Sequence, residues 1–288
     1  MKKKLILCLL LIPVITGCRE KTGEEIEEEL EQLKVYQTLV TQAEPEQTES
    51  GIPPVTEVIP PESEESEETP ETLPPETETL PVTQAETSPP PPPAMTLDFP
   101  ALWKVNPDIC AWIEIPGTKV DYPILQSPDN DDEYLTTAYD GSYYIGGSLF
   151  TQATYNNRDF NDPVTVVYGH TMRAGTLFGQ LQTVYTSADS FAQHSEITLY
   201  LPGEVRKYTV FAAVPMEPIH LLHTYDFSNN YWYKNFFNRV YAIRAFGANF
   251  HPEIRPEPGD RVIILSTCLN EDSTQRFLVM AIQQENIP

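Results

Sequence analysis

The sequence predicts a mainly β fold, a barrel with a few appended helices, for the part of the chain that follows residue 98. The first observation is a series of short segments rich in β-branched and aromatic residues and separated by Pro, Gly, Asn and Asp. The second is that these segments do not alternate regularly with helical ones, as they would in a parallel α/β sheet. Many short strands with few helices indicate a barrel.

The predicted elements follow this pattern along the chain. The strand candidates are Ala111–Ile115, Val120–Leu125, Ser148–Thr151, Val164–Tyr168, Ile197–Leu201, Tyr208–Val214, Arg261–Ser266 and Phe277–Ile282. The helix candidates are Pro100–Asp108, Leu177–Tyr185 and Tyr231–Phe246.

The first 18 residues have the pattern of a secretory signal. Three lysines precede an apolar core, Leu5–Ile15, which is shorter than the ~20 residues that span a bilayer. The ending Ile15-Thr16-Gly17-Cys18 resembles a bacterial lipobox, which predicts lipidation of Cys18; the alternative is a plain signal in which Cys18 is incidental. Under both interpretations the rest of the chain lies at the outer face of the cytoplasmic membrane or in the cell wall, tethered by its N-terminus.

Three further segments are expected after this leader. Residues 19–40 contain a short acidic helix with apolar Ile26, Leu30 and Leu33, which we expect to be a solvated stalk. Residues 41–98 are dominated by Pro, Glu and Thr and predict a disordered tether, because they offer too little apolar surface to offset the entropy of ordering. Residues 99–288 are expected to form the folded domain.

Charge and cysteine usage exclude several classes of protein. The chain has a formal net charge of −24 and no basic stripe, which argues against nucleic acid as a partner. Four cysteines, of which Cys8 lies in the leader, are too few for a disulfide framework in an exported domain. Cys110 lies between apolar neighbours and is expected to be a buried structural thiol.

Three reactive residues lie at the ends of predicted strands. His170 closes the run that begins at Val164, Cys268 closes the run that begins at Arg261, and Arg276 opens the last strand. A thiol needs a nearby base or cation to act as a nucleophile, and an imidazole can supply both steps of proton transfer. A guanidinium can stabilise the oxyanion that forms. The three residues together predict acyl transfer through a thioester.

The motifs around these residues resemble those of the class B sortases, in the same order along the chain. They are Asn106–Thr118, Asp121-Tyr122-Pro123-Ile124, Asp129-Asn130 with Tyr134-Leu135, Gly147-Ser148-Leu149-Phe150, Tyr168-Gly169-His170-Thr171-Met172, Leu265-Ser266-Thr267-Cys268 and Arg276. The resemblance runs from about Leu102 to Gln283. It implies an eight-stranded sortase-type barrel with an N-terminal helix and a helix-bearing insertion, Met216–Pro258, before the strand that ends at Cys268.

The resemblance also implies an activity and a site. Cys268 would be the nucleophile, His170 the general acid/base and Arg276 the ligand of the oxyanion or substrate carbonyl. The enzyme would cleave secreted proteins after the Thr of a C-terminal sorting signal of the Asn-Pro-X-Thr type or a relative. The residues implied to line the peptide groove are Asn130, Leu135, Ser266 and Thr267.

The acceptor would be an amine of a peptidoglycan precursor, or a pilin lysine in a pilin-polymerising relative. Neither a cofactor nor a metal is expected, because His220 and His223 have no third ligand at a recognisable spacing. The alternative without catalysis is a lipid-anchored binding or adhesion module in which Cys268 is inert.

Overall fold

The computed structural model describes residues 22–34, 37–40, 94–269 and 274–284. The predicted leader, with Cys18, lies outside the described residues, as does the predicted tether apart from its last residues, where Ala94–Leu97 forms a strand. The N-terminal helix belongs to the same compact unit as the residues from Met95 onward. Of the other unit, Leu39–Ala94, only the two ends are described.

The described residues form eleven strands and six α-helices, together with a short 3₁₀ helix at Glu133–Leu135. The strands are β1 Gln37–Val40, β2 Ala94–Leu97, β3 Ile109–Glu114, β4 Asp121–Leu125, β5 Leu149–Phe150, β6 Val164–Tyr168, β7 Glu196–Leu201, β8 Glu204–Met216, β9 Asn249–Phe250, β10 Val262–Cys268 and β11 Arg276–Gln283. The helices are α1 Gly23–Leu33, α2 Phe99–Val105, α3 Leu181–Tyr185, α4 Ala188–Gln193, α5 Leu221–Thr224 and α6 Asn230–Ala242. Within these described ranges, no helix combines the length and the apolar composition needed to cross a membrane.

Eight of the strands close into a barrel. The order is β11-β10-β6-β5-β4-β3-β7-β8, and β8 pairs with β11 to complete the circle. The short strand β9 is added to β8 outside this circle. All eight barrel strands correspond to the strands predicted from the sequence, so the prediction of an eight-stranded, mainly β barrel is confirmed.

The two faces of the barrel sheet pack into two separate apolar clusters. Along β10, Ile263 and Leu265 point into the barrel, while Val262 and Ile264 point outward into a second cluster beneath α5 and α6. This alternation is the period of two that a strand imposes on its side chains. The outer cluster continues over β6, β8 and β11, so one region of the barrel wall is covered on both faces.

Helix α6 covers this outer face with one stripe of side chains. Tyr233, Phe236, Phe237 and Val240 are buried, at the helical spacing of three and four residues. The helix ends at Ala242, four residues before the predicted end, and Phe246 is fully exposed. The predicted helix is too long because the apolar content of the sequence continues past Ala242, whereas the backbone becomes extended at Ile243.

Helix α1 packs on the barrel and is not the solvated stalk that the sequence predicts. It begins with a capping box between Thr22 and Glu25, and it buries Ile26, Leu30 and Leu33 in the barrel's apolar cluster. The hydroxyl of Tyr122 donates a hydrogen bond to Glu27 at 3.0 Å. The prediction was wrong on this point because three apolar residues at helical spacing do not show which part of the protein they pack against.

Candidate active site

The three predicted catalytic residues lie at adjacent ends of β6, β10 and β11. Strands β6 and β10 are parallel with Tyr168 opposite Ser266, and His170 and Cys268, each two positions further on, line the same cavity. Strands β10 and β11 are antiparallel with Cys268 opposite Arg276. Because Ser266 and Cys268 share the outward face of β10, the site lies outside the barrel, beside the outer apolar cluster.

His170 is held at the end of β6 by close packing. A β-carbon on Gly169 would collide with Leu149 and Phe178, so only glycine lets the chain pass here. The carbonyl of His170 accepts a hydrogen bond from Phe178 N at 3.1 Å, and its Nε2 lies 3.0 Å from the carbonyl oxygen of Leu135. A carbonyl can only accept, so Nε2 carries the proton and the neutral ring has its lone pair on Nδ1.

Cys268 and Arg276 form a close pair across the last two strands. Leu269 N donates to Gln275 O at 3.1 Å, so Leu269 and Gln275 are a hydrogen-bonded pair of the antiparallel ladder. Such pairs alternate with non-hydrogen-bonded ones, and the neighbouring pair, Cys268 and Arg276, is of the second kind. Pairs of this kind hold their side chains closest together. The Arg276 side chain is half-buried and its guanidinium donates to Gln275 O at 3.3 Å, which restrains it at the cavity that Cys268 also lines.

A cavity of about 300 Å³ opens at these strand ends. Its walls come from the barrel strands on one side and from the beginning of the insertion on the other. The lining residues are Asp132, Leu135, Phe150, Gln152, Tyr168, Gly169, His170, Glu217, Pro218, Ile219, His220, Leu221, Ser266, Thr267, Cys268, Arg276 and Leu278. The cavity therefore joins a thiol, an imidazole and a guanidinium to a mixed apolar and polar groove.

Three of the four predicted groove residues line this cavity, and one does not. Leu135, Ser266 and Thr267 are on its wall. The Asn130 side chain instead donates to Glu133 Oε2 at 3.2 Å, and its Oδ1 accepts from Asp132 N at 3.1 Å. Asn130 thus holds the turn that leads into the 3₁₀ helix, and the structure places Asp132 on the cavity wall in its stead.

Sequence reasoning missed two polar features of the cavity. The Tyr168 hydroxyl is buried and finds no hydrogen-bond partner among the described residues, and burial raises the pKa of this phenol. On the opposite wall His220 Nδ1 accepts from His223 N at 3.1 Å, so Nε2 carries the proton and donates to Gln152 Oε1 at 2.9 Å. Tyr168 could have been found from the sequence, because it belongs to the motif Tyr168–Met172 around His170. The bond between Gln152 and His220 could not, because the two residues are far apart in the chain.

Comparisons with known proteins agree with this geometry. A family model described as "Sortase domain" matches residues 113–284. A protein named Sortase B from Listeria monocytogenes is 30% identical over 181 residues, which cover 61% of this chain and 68% of the relative.

Solved structures give the same result. The sortase B of Clostridium perfringens has a TM-score of 0.57 and 28% identity, and the match covers 65% of this chain and all of that chain. A Staphylococcus aureus sortase B–substrate complex has a TM-score of 0.57 and 26% identity, covering 65% of this chain and 85% of the other. The chain therefore belongs to the sortase family of cysteine transpeptidases and resembles, within it, the class B enzymes.

Proposed function

We propose that this sortase cleaves a C-terminal sorting signal of the Asn-Pro-X-Thr type, or a relative of it, after Thr and transfers the protein to an amine of peptidoglycan. The observation that carries the proposal is that three adjacent strand ends bring His170, Cys268 and Arg276 to one cavity. The S. aureus sortase B solved with its substrate supports a peptide as the occupant of the groove.

The first half of the reaction forms a thioester. His170 Nδ1 takes the proton of the Cys268 thiol, and the sulfur attacks the carbonyl carbon of the substrate Thr. The resulting oxyanion lies beside the Arg276 guanidinium, which stabilises the charge. His170 then returns the proton to the departing amine as the C–N bond breaks.

The second half reverses these steps with a new amine. The acceptor nitrogen attacks the thioester carbonyl and loses a proton to His170; the C–S bond then breaks, and His170 returns that proton to the Cys268 sulfur. Mixed walls suit a substrate with one apolar and several polar positions: Leu135, Ile219 and Leu221 offer apolar contact, and Ser266 offers a hydroxyl.

We assign the work of this enzyme to the outer face of the cytoplasmic membrane and the cell wall. The proposal rests on the leader pattern of residues 1–18 and on the composition of residues 41–98. Lipidation of Cys18 would anchor the chain; mass spectrometry of the mature protein, purified from membranes, would show a diacylglyceryl-modified Cys18 as its first residue. An unmodified N-terminus at another position would contradict this anchor.

The activity is tested with the full-length protein in detergent, a panel of sorting-type peptides and an added amine. We expect a mass increase on Cys268 equal to the acyl fragment and, with the amine, an exchanged product. The matched control is Cys268→Ala, which should give neither. Absence of both from the unaltered protein with every peptide would contradict the proposed substrate class, and exchange only with a lysine side chain would favour a pilin acceptor.

A further inference from the structure

The backbone carbonyl of Cys268 is held by two side chains from other elements. Thr171 Oγ1 donates to it at 2.7 Å and Gln182 Nε2 donates to it at 3.0 Å. A carbonyl oxygen offers two lone pairs, so the two donors use both. Strand carbonyls are ordinarily satisfied by the neighbouring strand. An arrangement that needs two side chains instead points to a local interruption of the sheet.

The interruption is the end of β6. Gly169 N donates to Ser266 O at 3.2 Å, and a parallel ladder repeats every second residue, so the next bond would join Thr171 N to Cys268 O. The chain turns away after Gly169, and the Thr171 hydroxyl supplies the donor that the ladder lacks. The Cys268 carbonyl faces this side because Leu269 and Gln275 form the hydrogen-bonded pair with β11.

The direction of the hydrogen bonds follows from the number of protons. Thr171 Oγ1 also lies 2.7 Å from Thr267 Oγ1, and either oxygen could donate if the pair stood alone. Thr171 has one hydroxyl proton, which goes to the Cys268 carbonyl. The Thr267 hydroxyl must therefore donate to Thr171. The chain of bonds runs from Thr267 through Thr171 to the carbonyl of the residue that carries the thiol.

Gln182 approaches the same carbonyl from a rigid element. It lies in α3, directly after Leu181, which is fully buried in the barrel's apolar cluster. The bond therefore ties the end of β10 to the packed core. On the far side of Cys268 the structure describes the chain only as far as Leu269.

We propose that Thr171, supported by Gln182, is a positioning residue that holds the Cys268 backbone in register with the strand end that carries His170. This inference rests on the proposed roles of Cys268 and His170. The Thr171 hydroxyl bonds the backbone of the nucleophile and not its thiol: it joins the residue after the base to the carbonyl of Cys268. A small displacement of a reacting group costs far more in rate than in substrate binding.

The test compares Thr171→Val, Thr171→Ser and Thr118→Val in the full-length protein. Valine keeps the shape and removes the hydroxyl, and serine restores the hydroxyl. Thr118 is the matched control because its hydroxyl also donates to a backbone carbonyl, Ile115 O at 2.8 Å, away from the cavity. We expect Thr171→Val to lower kcat for amine exchange about tenfold or more while KM stays within about twofold. Thr171→Ser should recover most of the rate, and Thr118→Val should match the unaltered protein.

A second readout needs no substrate. The rate of Cys268 alkylation by iodoacetamide at pH 7 should fall severalfold in Thr171→Val and remain unchanged in Thr118→Val, because a displaced thiol no longer lies where His170 can take its proton. If Cys268 of the unaltered protein is alkylated but forms no thioester, the proposed function fails. The alkylation rates of Thr171→Val and Thr118→Val then still decide the role of Thr171. Thermal unfolding checks that each variant is folded.

Two results would overturn the inference. One is a Thr171→Val protein that equals the unaltered protein in both kcat and alkylation rate. The other is a loss of rate that Thr171→Ser does not restore, since the hydroxyl would then not be responsible. If Thr171→Val does not fold, Gln182→Leu decides, because it removes the second donor to the same carbonyl: lower kcat at constant KM supports the inference, and an unchanged kcat contradicts it.

Discussion

Two free thiols, Cys110 and Cys268, lie in the part of the chain that the structure describes, each with an arginine nearby but in opposite environments. Cys110 lies in β3 and is 2% exposed, and its thiol donates to Ile124 O at 3.3 Å. Cys268 ends β10 at the mouth of the cavity, partly exposed. Arg158 lies near Cys110, but its guanidinium donates to Pro107 O at 2.8 Å and to Ile109 O at 3.3 Å.

The difference teaches that a cation beside a thiol does not by itself make a nucleophile. Burial raises the pKa of the Cys110 thiol to about 12, and the opposing charge of Arg158 does not offset this loss of solvation. Cys268 meets its arginine across a strand pair that is open to a cavity, with His170 on the adjacent strand end. The reactivity of a thiol therefore depends on whether its strand places it in the buried core, as for Cys110, or at a cavity beside a base, as for Cys268.

The largest contrast should come from removing each sulfur. Cys268→Ala should lower the rate of amine exchange by at least about 10⁴-fold, because no other group can form the acyl intermediate. Cys110→Ala should leave the rate unchanged, since that thiol never meets the substrate. Exchange rates with a sorting-type peptide measure both. A comparable loss in the two variants would remove the functional distinction between the thiols.

Labelling should separate the thiols without any substrate. With a pKa of about 12, roughly one Cys110 side chain in 10⁴ is a thiolate at pH 8, and it is also shielded from reagent. Of these two thiols, we expect iodoacetamide to modify only Cys268 in the folded protein and both in urea, as read by peptide mass spectrometry. Labelling of Cys110 under native conditions would contradict its burial.

Replacing the arginine near each thiol should again affect catalysis only at Cys268, with a smaller loss of rate than removing the sulfur. Arg276→Lys should lower kcat by about 10²–10³-fold, because one ammonium cannot reproduce the forked donors at a developing oxyanion. The matched change, Arg158→Lys, alters hydrogen bonds to backbone carbonyls remote from the cavity and should affect unfolding temperature more than kcat. Steady-state kinetics on both variants provide the test, and equal kcat values for Arg276→Lys and the unaltered protein would exclude the oxyanion role.

The smallest effect should appear in alkaline stability. The folded-state pKa of Cys110 lies above the ordinary value of 9.0, so the unfolded chain loses its proton first and stability falls as pH rises from about 9 toward 12. Between pH 9 and 10 this single group should cost about 1 kcal/mol of unfolding free energy. Urea titrations at several pH values should show that the unfolding free energy of Cys110→Ala falls less steeply with pH than that of the unaltered protein. Parallel slopes for the two proteins would argue against the raised pKa.

Much of the fold could be predicted because its signals are local. Each barrel strand is a short run of β-branched and aromatic residues between turn residues, and such a run predicts a strand wherever it lies. The placement of His170, Cys268 and Arg276 at strand ends follows from the same pattern. The same patterns do not locate every boundary: the apolar pattern of α6 continues past Ala242, where the helix ends.

Other features depend on residues far apart in the chain, and local patterns do not contain them. The sequence by itself determined the strands, the three reactive residues at strand ends and the acidic character of the N-terminal segment. Only the tertiary structure decided that α1 packs on the barrel, that Asn130 holds a turn outside the cavity, and that Thr171 and Gln182 meet at the Cys268 carbonyl. The physical reason is that propensity acts over a few neighbouring residues, whereas burial and hydrogen-bond partners are set by the sheet register, which joins segments about 100 residues apart.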